Sequence, residues 1–251
     1  MSSNPNSSVL VDRLFKAGSH FGFKKSRRHP SMKPFLFGNK AGNDIFDLEH
    51  SATLIDEAKA VLEKFASEGK TVLFVGTKEE ASKLVRETAE KLGTPFVTNR
   101  WVGGMITNWG EVRKRIARLF ELVAQGESGE LERKYTKKER VIIGREMDKL
   151  IYNFGGIRSL ERAPDLMVIV DPRHEKLAVA EAKEKNIPII GIMSSDNNIK
   201  DVNYPVVMND TLRPSIELVL NELVSAYEEG KKSFKPVAAE PARRRRVMRS
   251  N

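Results

Sequence analysis

The chain has 251 residues, 40% hydrophobic and 31% charged, enough to bury the core of one large domain or of a domain carrying an insertion. The absence of cysteine excludes a disulfide framework and a thiolate metal site, and the longest apolar run, IPIIGIM at 187–193, is far too short to span a bilayer. A formal charge of +9 points to a polyanionic partner.

That charge is unevenly placed. Residues 231–251 hold eight Lys or Arg against one Glu, +7 of the total, and leave the rest of the chain near neutrality. A second acid-free stretch runs from Arg13 to Asn43 and carries Lys16, Lys24, Lys25, Arg27, Arg28, Lys33 and Lys40 as well. Two such segments at opposite ends of one chain favour nucleic acid over a merely solvated surface. Residues 1–8, MSSNPNSS, lack the order of a secretory signal and are expected to be disordered, which fits a cytoplasmic location.

From residue 51 the chain alternates helical and apolar patterns. SATLIDEAKAVLEKFA is a helix with Leu54, Ala58, Val61, Leu62 and Phe65 on one face, and TVLFVG follows as a buried strand. The next helix opens on a capping box, Thr77-x-x-Glu80, and closes at Gly93 before the short strand PFVTN. Later come the strand LMVIV, an N-cap and N1 pair at Asp171-Pro172, the strand within IPIIGIM and a closing helix, TLRPSIELVLNELVSAYEEG. This alternation implies a parallel sheet covered by helices on both faces, formed by residues 9–104 and 156–230.

Residues 105–155 break the rhythm. Val112, Ile116, Leu119, Phe120 and Val123 share their spacing with Ile143, Met147, Leu150, Ile151 and Phe154, so two matching helices flank the linker QGESGELERKY. A capping box at Thr136-x-x-Glu139 opens the second, and the pair is expected to form an antiparallel hairpin of about 24 Å per helix. Trp101, Gly103, Gly104 and Trp109 stand at one junction of this arm and Gly155 and Gly156 at the other, the tryptophans as packing wedges rather than stacking platforms. The basic tail 231–251 is expected to be disordered when free.

Enzymatic signals are weak. VLFVGTKEEA has the strand–turn–helix form that holds phosphates in open sheets, but it lacks a glycine fingerprint, and Glu79 and Glu80 would repel an anion. His20, His29, His50 and His174 lack ligand spacing, so no metal site and no catalytic residue is expected. On the residues alone, an RNA-binding protein, a phosphate-binding α/β enzyme and a docking module with a helical arm remain open.

AGSHFGFKKSRRHPSMKPFLFG at 17–38, DIFDL, LFVGTK, NRWVGGMITNW at 99–109, FGGIRSLERAPDLMVIVD at 154–171 and IPIIGI occur in an order that resembles the bacterial-type second protein of the small ribosomal subunit. The resemblance covers about 9–227. It implies a flavodoxin-like three-layer α/β/α fold with an inserted coiled-coil arm, no enzymatic activity and no cofactor. It also implies binding to small-subunit ribosomal RNA, support of subunit assembly and translation, and contact with neighbouring ribosomal proteins, the large mRNA-binding one among them. Phosphate contacts are expected at Lys24, Lys25, Arg27, Arg28 and Lys33, at Arg113, Lys114 and Arg118 on the arm, and at Arg100. The chain departs from the family at Phe23, where a histidine is common, at Arg28-His29, where Trp-Asn is common, and at MSSDNN, which lacks an Asp-Thr-Asn opening. Metal binding through that histidine is therefore not implied here.

Overall fold

The computed structural model describes residues 5–234. Helix α1 (Pro5–Lys16) comes first, and β1 (Phe21–Lys24), β2 (Leu36–Lys40) and β3 (Asn43–Phe46) then form a small antiparallel sheet in the order β1-β3-β2. The helix begins inside the segment 1–8 expected to be disordered, because Leu10 and Leu14 bury against the main core and give the turn before them something to dock on. The small sheet escapes a periodicity reading because its strands are short and β2 is exposed along most of its length.

The remaining elements are α2 (Leu48–Ser67), β4 (Val72–Val75), α3 (Glu79–Leu92), β5 (Phe96–Val97), α4 (Trp109–Glu127), α5 (Glu130–Lys134), α6 (Lys137–Phe154), β6 (Leu166–Val170), α7 (Lys176–Glu184), β7 (Ile189–Met193), β8 (Tyr204–Val207) and α8 (Arg213–Ser233). The five later strands are all parallel in the order β5-β4-β6-β7-β8. Counted along the chain this is 2-1-3-4-5, the flavodoxin order, with its switch point between β4 and β6.

Side chains alternate across the sheet as the pleat requires. Val72, Phe74, Leu166, Val168 and Ile190 pack with α1, α2, α3 and α8. Leu73, Val75, Met167, Ile169 and Ile189 pack with α7 and the inner end of the arm. Both faces are thus covered, which is why β4, β6 and β7 are continuous apolar runs rather than alternating ones. Helix α8 continues past residue 230 to Ser233, and Phe234 closes on Gly69, where a Cβ would lie 2.4 Å from its ring. The rest of the tail, 235–251, lies outside the described residues.

Three local expectations are corrected. Thr77 does not cap α3: its hydroxyl donates to Glu175 at 2.6 Å, and Lys78 occupies the N-cap without a side-chain bond. Asp171-Pro172 does not open α7, because Asp171 takes a left-handed φ of 57° and starts a turn, and the helix begins at Lys176. In the arm, α4 and α6 pack as expected, but Phe120 and Ile151 are 54% and 47% exposed. A two-helix seam needs only the 4-3-4 positions, Val112, Ile116, Leu119 and Val123 against Ile143, Met147, Leu150 and Phe154, and the two exposed residues flank it. The linker between the helices also contains structure, since α4 runs to Glu127 and α5 fills much of the remainder. The capping box at Thr136 and Glu139 is present.

Candidate nucleic-acid interface

The basic N-terminal segment lies across the carboxyl ends of β7 and β8. Phe23 N donates to Ser195 Oγ at 2.9 Å, His29 N to the Ser195 carbonyl at 2.8 Å, and Asn209 Nδ2 to the Phe21 carbonyl at 2.7 Å. These bonds fix the backbone from which the expected phosphate-binding residues project. Lys24, Lys25 and Lys33 are exposed and make no ion pair among the described residues. Arg27 is held internally: it donates to Asp196 Oδ2 at 3.1 Å and lies 4.3 Å over the Phe23 ring. Arg28 is half-buried and pairs with fully buried Asp44 at 3.4 Å.

The switch-point crevice is where an open α/β sheet normally takes a ligand. Here the chain's own charges occupy part of it, and a hollow of about 400 Å³ lined by Thr77, Asn99, Arg100, His174 and Glu175 stays open beyond β4, β5 and β6. Lys78, just past β4, lies 3.1 Å from Asp171 Oδ2 after β6 and 3.5 Å from Asp210 Oδ1 after β8. Burial alone would lower the Lys78 pKa, but the charges of Asp210 and Asp171 more than offset it and raise it, so the ammonium persists. One ammonium cannot neutralise two carboxylates. Asp210 is fully buried, neither of its oxygens accepts a hydrogen bond, and burial together with the Asp171 charge pushes its pKa up to about 7 despite Lys78. Glu175 accepts from both Thr77 N and Thr77 Oγ1, at 2.8 and 2.6 Å, and closes the turn that the sequence had offered as a phosphate cradle.

The arm junction is organised by a residue that periodicity does not flag. Glu181 on α7 points its buried carboxylate into the 101–107 loop and accepts from Trp101 Nε1 at 3.0 Å, Gly104 N at 2.8 Å, Ile106 N at 2.9 Å, and both Thr107 N and Thr107 Oγ1 at 3.1 Å. Burial would raise its pKa; the five donors outweigh that and hold it below the ordinary glutamate value. Trp101 is 5% exposed and packs in the core with Met105 and Ile106, while Trp109 starts α4 and donates Nε1 to the Glu161 carbonyl at 3.2 Å. The glycines differ in kind. Gly104 has a φ of 85°, and a Cβ on Gly156 would sit 2.3 Å from the Phe96 carbonyl oxygen, whereas Gly103 has open space and Gly155 only an ordinary contact at 3.5 Å.

On the arm, Arg113 is exposed and free of ion pairs among the described residues; Lys114 pairs with Glu111 at 2.6 Å, and Arg118 lies between Glu146 and Glu121 at 3.4 and 3.5 Å. Arg100 is exposed beside Trp101. The structure therefore gathers Lys24, Lys25, Arg27, Arg28 and Lys33 on one segment and leaves Arg113, Lys114 and Arg118 on a separate element. Sequence reading missed Arg173, Lys176 and Lys183, which face Arg27 and Arg28 across a groove. The spacing of Lys176 and Lys183 along α7 is visible in the sequence, but the juxtaposition of all three with residues 27–30 is a tertiary contact. Among the described residues no cluster of three or more acidic or histidine side chains is arranged to hold a metal ion.

These features define a class: a flavodoxin-ordered α/β protein whose strand ends carry internal ion pairs and which has a cationic N-terminal face and a helical arm. The chain belongs to the ribosomal protein S2 family, whose model matches residues 14–230. It is similar to the small ribosomal subunit protein uS2 of Salinibacter ruber, with 41% identity over 88% of this chain and 69% of that protein. It is also 39% identical to the uS2 protein of Mycobacteroides abscessus over 93% of this chain and 87% of the relative, and 37% identical to the uS2c protein of Emiliania huxleyi over 90% and 98%. It is a structural constituent of the small ribosomal subunit and resides on the ribosome in the cytoplasm. No described helix is long and apolar enough to cross a membrane.

Proposed function

We propose that the chain binds small-subunit ribosomal RNA through its N-terminal cationic segment and supports assembly of the subunit and translation by holding folded RNA, without catalysing a reaction. The observation that carries this reading is the arrangement of Lys24, Lys25 and Lys33, exposed and unpaired among the described residues on a backbone fixed to Ser195 and Asn209. Lysines presented from a fixed surface neutralise phosphates without reading base edges, which suits A-form RNA. Arg100 and Arg113 are further contacts; Arg27, Arg28, Lys114 and Arg118 contribute while already engaged to carboxylates. A structural rather than catalytic role is supported by the ion pairs of Lys78 with Asp171 and Asp210, which engage the charges at the carboxyl ends of the strands with one another.

Neighbouring proteins of the subunit, the large mRNA-binding one among them, are proposed partners. Supporting this, Phe15, Phe21 and Phe37 are 61%, 46% and 82% exposed around a single hollow, an apolar face beyond what a solvated surface needs. The N-terminal reading is tested by sedimentation. The K24Q/K25Q/K33Q variant is expected to keep its melting temperature and to leave the small-subunit fraction at lower salt than the unaltered chain. Co-sedimentation unchanged up to the same salt would refute the assignment.

A further inference from the structure

The groove between residues 27–30 and α7 has a volume of about 590 Å³ and extends the N-terminal segment to residues that the sequence did not single out. Its lining includes Arg27 and Arg28 from the N-terminal segment, Arg173, Lys176 and Lys183 from the turn after β6 and from α7, and Asp196 and Asp201 from the segment after β7. Five cations thus face two carboxylates.

The arginines are positioned rather than merely present. Asp196 is 8% exposed, and its Oδ2 accepts from Arg27 Nη2 at 3.1 Å and from Arg173 Nη1 at 2.7 Å. One buried carboxylate therefore holds two guanidiniums side by side, and the pair keeps a net positive charge with most of its N–H groups unused, a fork suited to phosphate oxygens. Phe23 supports Arg27 from beneath. Along α7, Lys176, Ala180 and Lys183 follow i, i+4, i+7 spacing and share a face. The two lysines are about 10 Å apart along the axis, and the small alanine between them leaves the groove open. Lys176 makes no ion pair among the described residues, and Lys183 reaches Asp201 at 2.6 Å. His29 is the one aromatic ring in the lining, beside the five cations Arg27, Arg28, Arg173, Lys176 and Lys183, so the chemistry of the groove is chiefly that of the phosphodiester backbone.

We infer that this groove seats one backbone strand of the ribosomal RNA, with a phosphate on the Arg27–Arg173 pair and its neighbours along Lys176 and Lys183. The inference rests on the RNA-binding reading above and extends it to residues outside the N-terminal segment, joining that segment and α7 into one surface. Asp196 acts as a positioning residue.

The full chain is titrated against transcribed small-subunit ribosomal RNA between 50 and 200 mM KCl, with thermal melts confirming that each variant is folded. Each phosphate that the protein no longer neutralises lowers the slope of log K against log salt by about 0.7–0.9, so R173Q/K176Q is expected to lower it by about 1.5. The same charge removed from α3 by K83Q/K91Q should leave it near the unaltered value. D196N raises the net charge by one, so a diffuse cationic surface would then bind RNA more tightly, whereas a positioned pair binds more weakly. If the unaltered chain fails to bind the RNA, the RNA-binding reading itself falls. If it binds and R173Q/K176Q matches K83Q/K91Q, the groove alone is refuted. Tighter binding by D196N would overturn the positioned pair, and saturation of the groove by inorganic phosphate with an unchanged RNA slope would assign it to a small anion instead.

Discussion

Asp210 shows what burying a second carboxylate beside Lys78 costs. Lys78 satisfies Asp171 at 3.1 Å and leaves Asp210 at 3.5 Å with no hydrogen bond to either oxygen. Its carboxyl is raised from 3.8 to about 7 by burial first and by the Asp171 charge second, with Lys78 opposing and the Asp196 charge adding to the rise. Between those two values the folded chain binds a proton that the unfolded chain has released, so this group's stabilisation is lost as pH rises through 7. At 1.36 kcal/mol per unit the loss is bounded by about 4 kcal/mol. Asp210→Asn keeps the shape and removes the titration. Thermal unfolding from pH 5 to 8 is expected to show the variant gaining on the unaltered chain as pH rises, and parallel profiles would show that Asp210 stays ionised throughout.

At the scale of elements, the arm is set by its junctions, and its glycines separate two causes that a sequence cannot distinguish. Gly156 lets its backbone approach the Phe96 carbonyl so closely that a Cβ would lie at 2.3 Å, while Gly103 faces open space without a positive φ. Gly156→Ala must therefore displace β5 or α6, and about 2 kcal/mol or more of destabilisation is expected by thermal or urea unfolding, against less than about 0.5 kcal/mol for Gly103→Ala. Equal costs would mean that the junction yields freely. This contrast marks how far the sequence could be read. Glycine pairs, the 4-3-4 seams and the apolar strands are local patterns, so the sheet and the arm were legible. Glu181 was not, because it lies 80 positions from Trp101 and in sequence is one more charge on a helix. The Thr77 cap failed for a related reason, because a distant partner, Glu175, took its hydroxyl, whereas Asp171 still accepts from His174 N at 3.2 Å but caps a turn rather than α7. The N-terminal lysines were legible as a charge run, whereas the rest of the groove depends on the fold bringing residue 173 to residue 27.

For the whole molecule, charge acts at two ranges. Residues 235–251, outside the described structure, carry six Lys or Arg and one Glu, +5 of the formal +9. The groove instead holds its cations in fixed geometry, with Arg27 and Arg173 on one carboxylate. Long-range charge mainly speeds encounter, since it acts before surfaces touch and is screened over about 8 Å at physiological salt. Fixed short-range contacts mainly set dissociation, because they exist only in the complex. The two should therefore separate kinetically. A chain ending at residue 234 is expected to keep its melting temperature, to associate with small-subunit ribosomal RNA several-fold more slowly at 50 mM salt, and to dissociate at nearly the original rate. R173Q/K176Q is expected to do the reverse, with dissociation faster by about tenfold and association little changed. Stopped-flow mixing resolves both rates. If the shortened chain loses affinity through dissociation alone, the tail is a bound contact rather than a steering charge, and RNA recognition is spread over more of the chain than its folded surface.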